Sequence, residues 1–129
     1  MSRFLLDTNV ALLSLAAPER IPARVHRALD RGLAFLSVVS YWEVVLKGTK
    51  GKLDVGDPRT WWVDALDRLA ATPIQLRPDH ISAVYTLAPV HQDPFDRALI
   101  AQAIVEGLTF ATTDAEIPKY ASARFRVLS

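Results

Sequence analysis

Phe4-Leu5-Leu6-Asp7-Thr8-Asn9 decides how this chain is read. Three apolar residues run into a carboxylate, and two side chains that cap helices follow it. Arg3 to Leu6 reads as a short buried strand, and Asp7-Thr8-Asn9 supplies capping oxygens before a helix over Val10 to Leu15. Outward from this stretch the alternation repeats. Pro18 to Pro22 is a loop, and Arg24 to Arg31 is a helix stopped by Gly32. Leu33 to Val39 is a second buried strand. Ser40 to Leu46 is a helix with a basic, glycine-containing tail over Lys47 to Lys52. Pro58 to Ala71 is a helix with Trp62, Ala65, Leu66 and Leu69 on one face. Pro73 to Leu76 is a weak strand and Pro78 to Leu87 a helix. Pro94 to Glu106 is the clearest helix, with proline at its start and Gly107 after its end. Leu108 to Thr112 is a strand, Ala115 to Tyr120 a short helix, and Arg124 to Leu128 a last strand. Strands alternating with helices predict an α/β fold, a central, mostly parallel sheet flanked by helices.

Composition bounds the rest. A chain of 129 residues suits one domain with one core, and neither a repeat nor a linker divides it, so residues 1–129 read as a single domain. Half of the residues are hydrophobic and 22% are charged, as in an ordinary folded protein. Cysteine is absent, which excludes a disulfide framework and thiolate metal sites. The net charge of +1 is not that of a strongly basic nucleic-acid binder. Acids pooled in one cleft would still leave the remaining surface more basic than the total. Asp7 and Asn9 interrupt the N-terminal apolar stretch, which argues against a secretory signal. No run approaches the roughly 18 apolar residues of a membrane span. The expectation is a soluble, cytoplasmic protein.

Four carboxylates sit where strands hand over to helices: Asp7, Glu43, Asp96 and Asp114. Ligands of open parallel sheets bind outside the carboxyl ends of the strands. Acids converging there need a hard cation, which points to metal-dependent chemistry on a phosphate ester. Each acid also has a structural explanation. Ser40-Tyr41-Trp42-Glu43 has capping-box spacing, with Glu43 in the first turn of its helix. Asp93-Pro94-Phe95-Asp96 has the same spacing, with Asp93 as the cap. Asp114 suits a cap or a first turn. Asp7 is the hardest to dismiss, because Thr8 or Asn9 is already available to cap. Lys47, Lys50 and Lys52 read equally as phosphate contacts and as a solvated loop. His26 and His80 read as surface or half-buried helix residues, and His91 as a residue at the edge of the site. Trp42, Trp61 and Trp62 read as core or interface anchors rather than base-stacking platforms. No Ser-His-Asp order, nucleophile elbow, Walker loop or dinucleotide fingerprint is present.

These motifs resemble those of PIN-domain nucleases. Phe4 to Asn9 resembles their opening motif, and Ser40-Tyr41-Trp42-Glu43-Val44 the second. His91 to Ala103 resembles the third, in a form typical of VapC-type toxins, and Thr112-Thr113-Asp114 the fourth. The resemblance implies a Mg²⁺- or Mn²⁺-dependent endoribonuclease, the toxin of a toxin–antitoxin pair. It places Asp7, Glu43, Asp96 and Asp114 on the acidic, metal-holding positions, with Asp7 and Asp96 as the firmest ligands. Asn9 and Thr112 or Thr113 become polar groups around them, and Asp93 and Arg97 belong to the extended third motif. It also implies a homodimer and a small antitoxin protein that inserts into the groove. One alternative is a haloacid-dehalogenase-like phosphatase, although such enzymes carry an Asp where this chain has Asn9. The other is a catalytically inactive nuclease fold that binds RNA or protein.

Overall fold

The structure is a computed structural model and describes residues 1–88 and 93–129. Five strands form one parallel sheet: β1 (Arg3–Leu6), β2 (Leu33–Ser37), β3 (Thr72–Ile74), β4 (Thr109–Ala111) and β5 (Val127–Leu128). Their spatial order is β3-β2-β1-β4-β5. The described residues also form α1 (Thr8–Ala16), α2 (Ala23–Asp30), α3 (Val38–Thr49), α4 (Pro58–Arg68), α5 (Pro78–Thr86) and α6 (Pro94–Glu106). Two short 3-10 turns cover Pro18–Arg20 and Ile117–Tyr120.

β1 is apolar on both sides because it is central. Phe4 and Leu6 enter one core with Val10, Val25, Leu36, Val44 and Trp61. Leu5 enters the other with Val39, Ile74, Leu99, Phe110 and Phe125. The chain builds outward from β1 through β2 to β3, then returns through α5 and α6 to add β4 on the far side of β1. The strand order therefore reverses between β1 and β4, the place where ligands of such sheets bind.

The order of elements matches the sequence pattern, and several boundaries move. β2 stops at Ser37 rather than Val39, because the Ser37 hydroxyl accepts the Val39 backbone N–H at 3.0 Å and caps α3. The helix thus begins at Val38, two residues before Ser40, and continues to Thr49. The local cap overrides the strand preference of the adjacent valines. α4 ends at Arg68 rather than Ala71, and Ala70 takes a left-handed backbone with φ of 48°. Trp61 is the buried indole of α4, while Trp62 is half-buried and stacks on Tyr41 at 5.0 Å. α6 begins and ends as read, with Asp93 as cap and Gly107 left-handed at φ 66°.

Gly32 joins α2 to β2 directly against the amino end of β1. A Cβ there would lie 2.4 Å from the Phe4 ring and 2.8 Å from the Ser2 carbonyl oxygen. Gly32→Ala should therefore cost about 1–3 kcal/mol through overpacking, seen as a lower urea midpoint at unchanged slope. An unchanged midpoint would mean that β1 gives way there without cost.

Candidate active site

The sheet register seats Asp7. Leu6 pairs with Ala111, so Asp7 follows beside Thr112. The Asp7 N–H donates to the Ala111 carbonyl at 2.8 Å, which extends the ladder by one residue. The Thr112 hydroxyl donates to Asp7 Oδ2 at 2.7 Å and accepts the Asp114 backbone N–H at 3.0 Å. Asp114 Oδ1 in turn accepts the Glu116 N–H at 2.9 Å. Asn9 Nδ2 donates to Thr113 Oγ1 at 3.1 Å. Asn9, Thr112 and Thr113 thus tie the turn after β1 to the turn after β4. Asp7 occupies the cap position of α1, yet its side chain makes no cap hydrogen bond.

Glu43 is not the second half of a capping box. With α3 starting at Val38, Glu43 is its sixth residue and lies beyond the first turn. Ser40 lies inside the helix, and its hydroxyl accepts from Thr8 Oγ1 at 2.8 Å, joining α3 to the start of α1. Glu43 is buried, and its Oε2 pairs with Lys47 Nζ at 2.7 Å. Its Oε1 is buried and has no hydrogen-bond partner among the described residues. An unmatched carboxylate oxygen of this kind costs about 1–3 kcal/mol or more. The hydrogen bond to Glu43 holds the Lys47 ammonium above its ordinary pKa against the effect of burial, helped by the charges of Glu43, Asp93 and Asp96. Lys47 therefore stands between α3 and the start of α6.

Asp93 caps α6, accepting the N–H groups of Phe95 at 2.8 Å and Asp96 at 3.3 Å. Asp96 is half-buried in the first turn. Arg97 turns to the end of α5, donating to the carbonyls of Ala88 at 3.0 Å, Val84 at 3.2 Å and Leu87 at 3.4 Å. It fastens the end of α5 to the first turn of α6. Lys50 and Lys52 are exposed at and just beyond the end of α3. The expectation for His91 lies outside the described residues.

Burial raises the Asp7 carboxyl above its ordinary pKa of 3.8. The Thr112 hydrogen bond opposes the shift, and the charges of Glu43 and Asp114 add to it. Asp7 is thus close enough to both acids to be repelled by them.

Among the described residues, the group whose ligating atoms lie within 4.8 Å of one another is elsewhere: Asp79, His80 and Glu106. His80 is fully buried, which corrects its expected surface or half-buried place. Its Nδ1 accepts the Arg77 N–H at 3.0 Å, so its Nε2 carries the proton and donates to Glu106 Oε2 at 2.9 Å. The Arg77 guanidinium pairs with Asp79 at 2.8 Å and Glu106 at 2.7 Å. Hydrogen bonds to Arg77 and His80 hold these two carboxyls below their usual range. Both acids and both ring nitrogens have partners, so the group ties α5 to α6. The available sequence signal was position: His80 is the third residue after Arg77, at the start of a proline-led helix, where a capping box places a Glu or Gln.

The raised pKa of Asp7 has a stability consequence. The folded protein holds this proton to higher pH than the unfolded chain, so the charged carboxylate costs stability at neutral pH. Without divalent ions, Asp7→Asn should be more stable than the wild type at pH 7. The difference should shrink as the pH falls toward 3.8. Thermal melts across that range measure this, and a destabilised Asp7→Asn at pH 7 would contradict it.

The sequence matches the PIN domain over residues 4–123. No curated protein matches it. Among solved structures, the chain is similar to VapBC2 from Rickettsia felis bound to a DNA fragment from their promoter. The identity is 13% and the TM-score 0.72, covering 98% of this chain and 97% of that chain. It is also similar to VapBC-5 from Mycobacterium tuberculosis, with 17% identity, TM-score 0.62 and coverage of 99% and 98%. FitAcB from Neisseria gonorrhoeae gives 21% identity, TM-score 0.65 and coverage of 98% and 96%. At these identities the likeness is one of fold, whereas the sequence match takes in all four acids and nearly the whole length: the chain belongs to the PIN domain family.

Proposed function

We propose that this chain is a divalent-metal-dependent endoribonuclease, the VapC-type toxin of a toxin–antitoxin pair, formed by one domain over residues 1–129. The observation that carries the metal is the buried, unpartnered Glu43 Oε1 beside a carboxyl, Asp7, that burial makes costly to ionise. A donor set made only of carboxylates suits Mg²⁺, with Mn²⁺ as substitute. Asp7, Glu43, Asp96 and Asp114 would hold the ion. When bound, the ion supplies neutralising charge for a phosphodiester and makes water a better nucleophile at neutral pH.

The chain's own residues do the positioning. Thr112 holds one oxygen of Asp7 and leaves the other for a ligand. Asp93 takes over the capping of α6, so Asp96 is not needed for that role. The amino end of α6 favours a negatively charged phosphate. Lys47 has a half-exposed side chain within the acid site, and Lys50 and Lys52 extend positive charge from it as backbone contacts for RNA.

An RNA substrate, a small antitoxin protein in the groove, a homodimer and a cytoplasmic location complete the proposal. Several similar structures are VapBC or FitAcB assemblies, which supports a protein partner. No helix of the described residues is long and apolar enough to cross a membrane. The family match displaces the phosphatase alternative, and Asn9 agrees: its amide donates to Thr113, where a phosphatase needs a second acid.

Glu43→Gln separates a nuclease from an inactive binding fold. It keeps the side chain's shape and removes its charge. Cleavage of single-stranded RNA at saturating Mn²⁺ should fall about 100-fold or more, while the melting temperature holds or rises. Cleavage close to wild type would remove Glu43 from the catalytic set. No cleavage by the wild type would leave only the binding fold.

A further inference from the structure

We propose that Trp42 is a stacking platform for one unpaired nucleobase beside the scissile phosphate; this rests on the ribonuclease function proposed above. Trp42 immediately precedes Glu43 on α3, and its residue surface is 58% exposed. Its indole meets the ring of Phe95 at 5.0 Å and 81°, an edge-to-face contact. Phe95 immediately precedes Asp96 on α6 and is packed against the second core. Two aromatic residues, each next to an acid and each on a different helix, therefore brace one another. The result is a fixed indole at the rim of the acid site with most of its surface in water.

A single exposed apolar side chain is ordinary on a protein surface. Placement and bracing set Trp42 apart. Val63, Ile81 and Tyr85 are exposed too, but they lie on α4 and α5, which carry none of the four acids. The arrangement around Trp42 combines the Phe95 brace with nearby charge: Glu43 follows Trp42 in the chain and pairs with Lys47, and Asp93 and Asp96 flank Phe95 in sequence. It suits a single strand whose backbone meets cations while a base lies on an aromatic face. The cations follow the helix: Glu43, Lys47 and Lys50 share one face of α3 at spacings of four and three residues. A strand with its phosphate at the acids would run along the lysines, with a base within reach of the indole.

The test is steady-state cleavage of a short single-stranded RNA by the wild type, Trp42→Ala and Trp42→Phe. The same RNA is also used with one abasic nucleotide on either side of the cleaved bond. Trp42→Ala should raise KM about tenfold, the scale of one stacked base, with kcat changed less than about twofold. Trp42→Phe should recover most of the loss. An abasic site at one flanking position should cost the wild type the same factor and cost Trp42→Ala nothing further. Unchanged KM in Trp42→Ala, or equal abasic penalties in both proteins, would overturn the platform and leave the nuclease standing. No cleavage of any RNA by the wild type would overturn both. Should Trp42→Ala misfold, Trp42→Phe carries the test with the abasic RNA. A KM for Trp42→Phe tenfold above wild type, with an undiminished abasic penalty, would overturn the platform.

Discussion

The hydrogen bond from Thr112 to Asp7 is the contact on which the proposed chemistry depends. It joins the ends of two neighbouring parallel strands at the place where the strand order reverses. Without a fixed donor, a carboxylate buried after three apolar residues would be a liability to β1. With Thr112 in place it becomes an ordered carboxylate with one oxygen held. The same hydroxyl orders the turn that carries Asp114. One side chain thus sets the separation of two acids, and the register between Leu6 and Ala111 sets that side chain.

Two groups of acids in this small fold meet opposite fates. At the amino end of β4, Asp79 and Glu106 share the guanidinium of Arg77, and His80 completes the set. Arg77 and His80 both donate to Glu106 and Arg77 also to Asp79, and the group behaves as a clasp between two helices. At the carboxyl end, the Lys47 ammonium pairs with one oxygen of Glu43 and stands near Asp93 and Asp96. The remaining demand is expressed in the orphaned Glu43 Oε1 and in the raised carboxyl of Asp7. Compactness alone would select the first group as an ion site. On the charges of Asp7 and Glu43, the proposed ion site is the second.

The sheet and its helices were legible because β1 and α6 carry signals that agree at every level. Apolar runs end at capping residues, and α6 has Asp93, Pro94 and Gly107 at its limits. At α3 a real local signal loses to an earlier one. Ser40 and Glu43 have the spacing of a capping box, but Ser37 caps first. That one shift carries Glu43 out of the first turn, and its buried Oε1 has no hydrogen-bond partner among the described residues. The burial of His80 escapes the sequence for a different reason. Its burial depends on Arg77 before it and on Glu106, 26 positions along the chain, and no local pattern reports such a pairing. The exposure of Trp42 was equally invisible, since nothing in the sequence separates it from the indole buried at Trp61.

Anomalous diffraction from crystals soaked in Mn²⁺ tests the charge-balance account most directly. It predicts a peak bounded by Asp7, Glu43, Asp96 and Asp114, lost in Asp7→Asn, and none at Asp79, His80 and Glu106. A peak at the latter group, or none at the four acids, would contradict it.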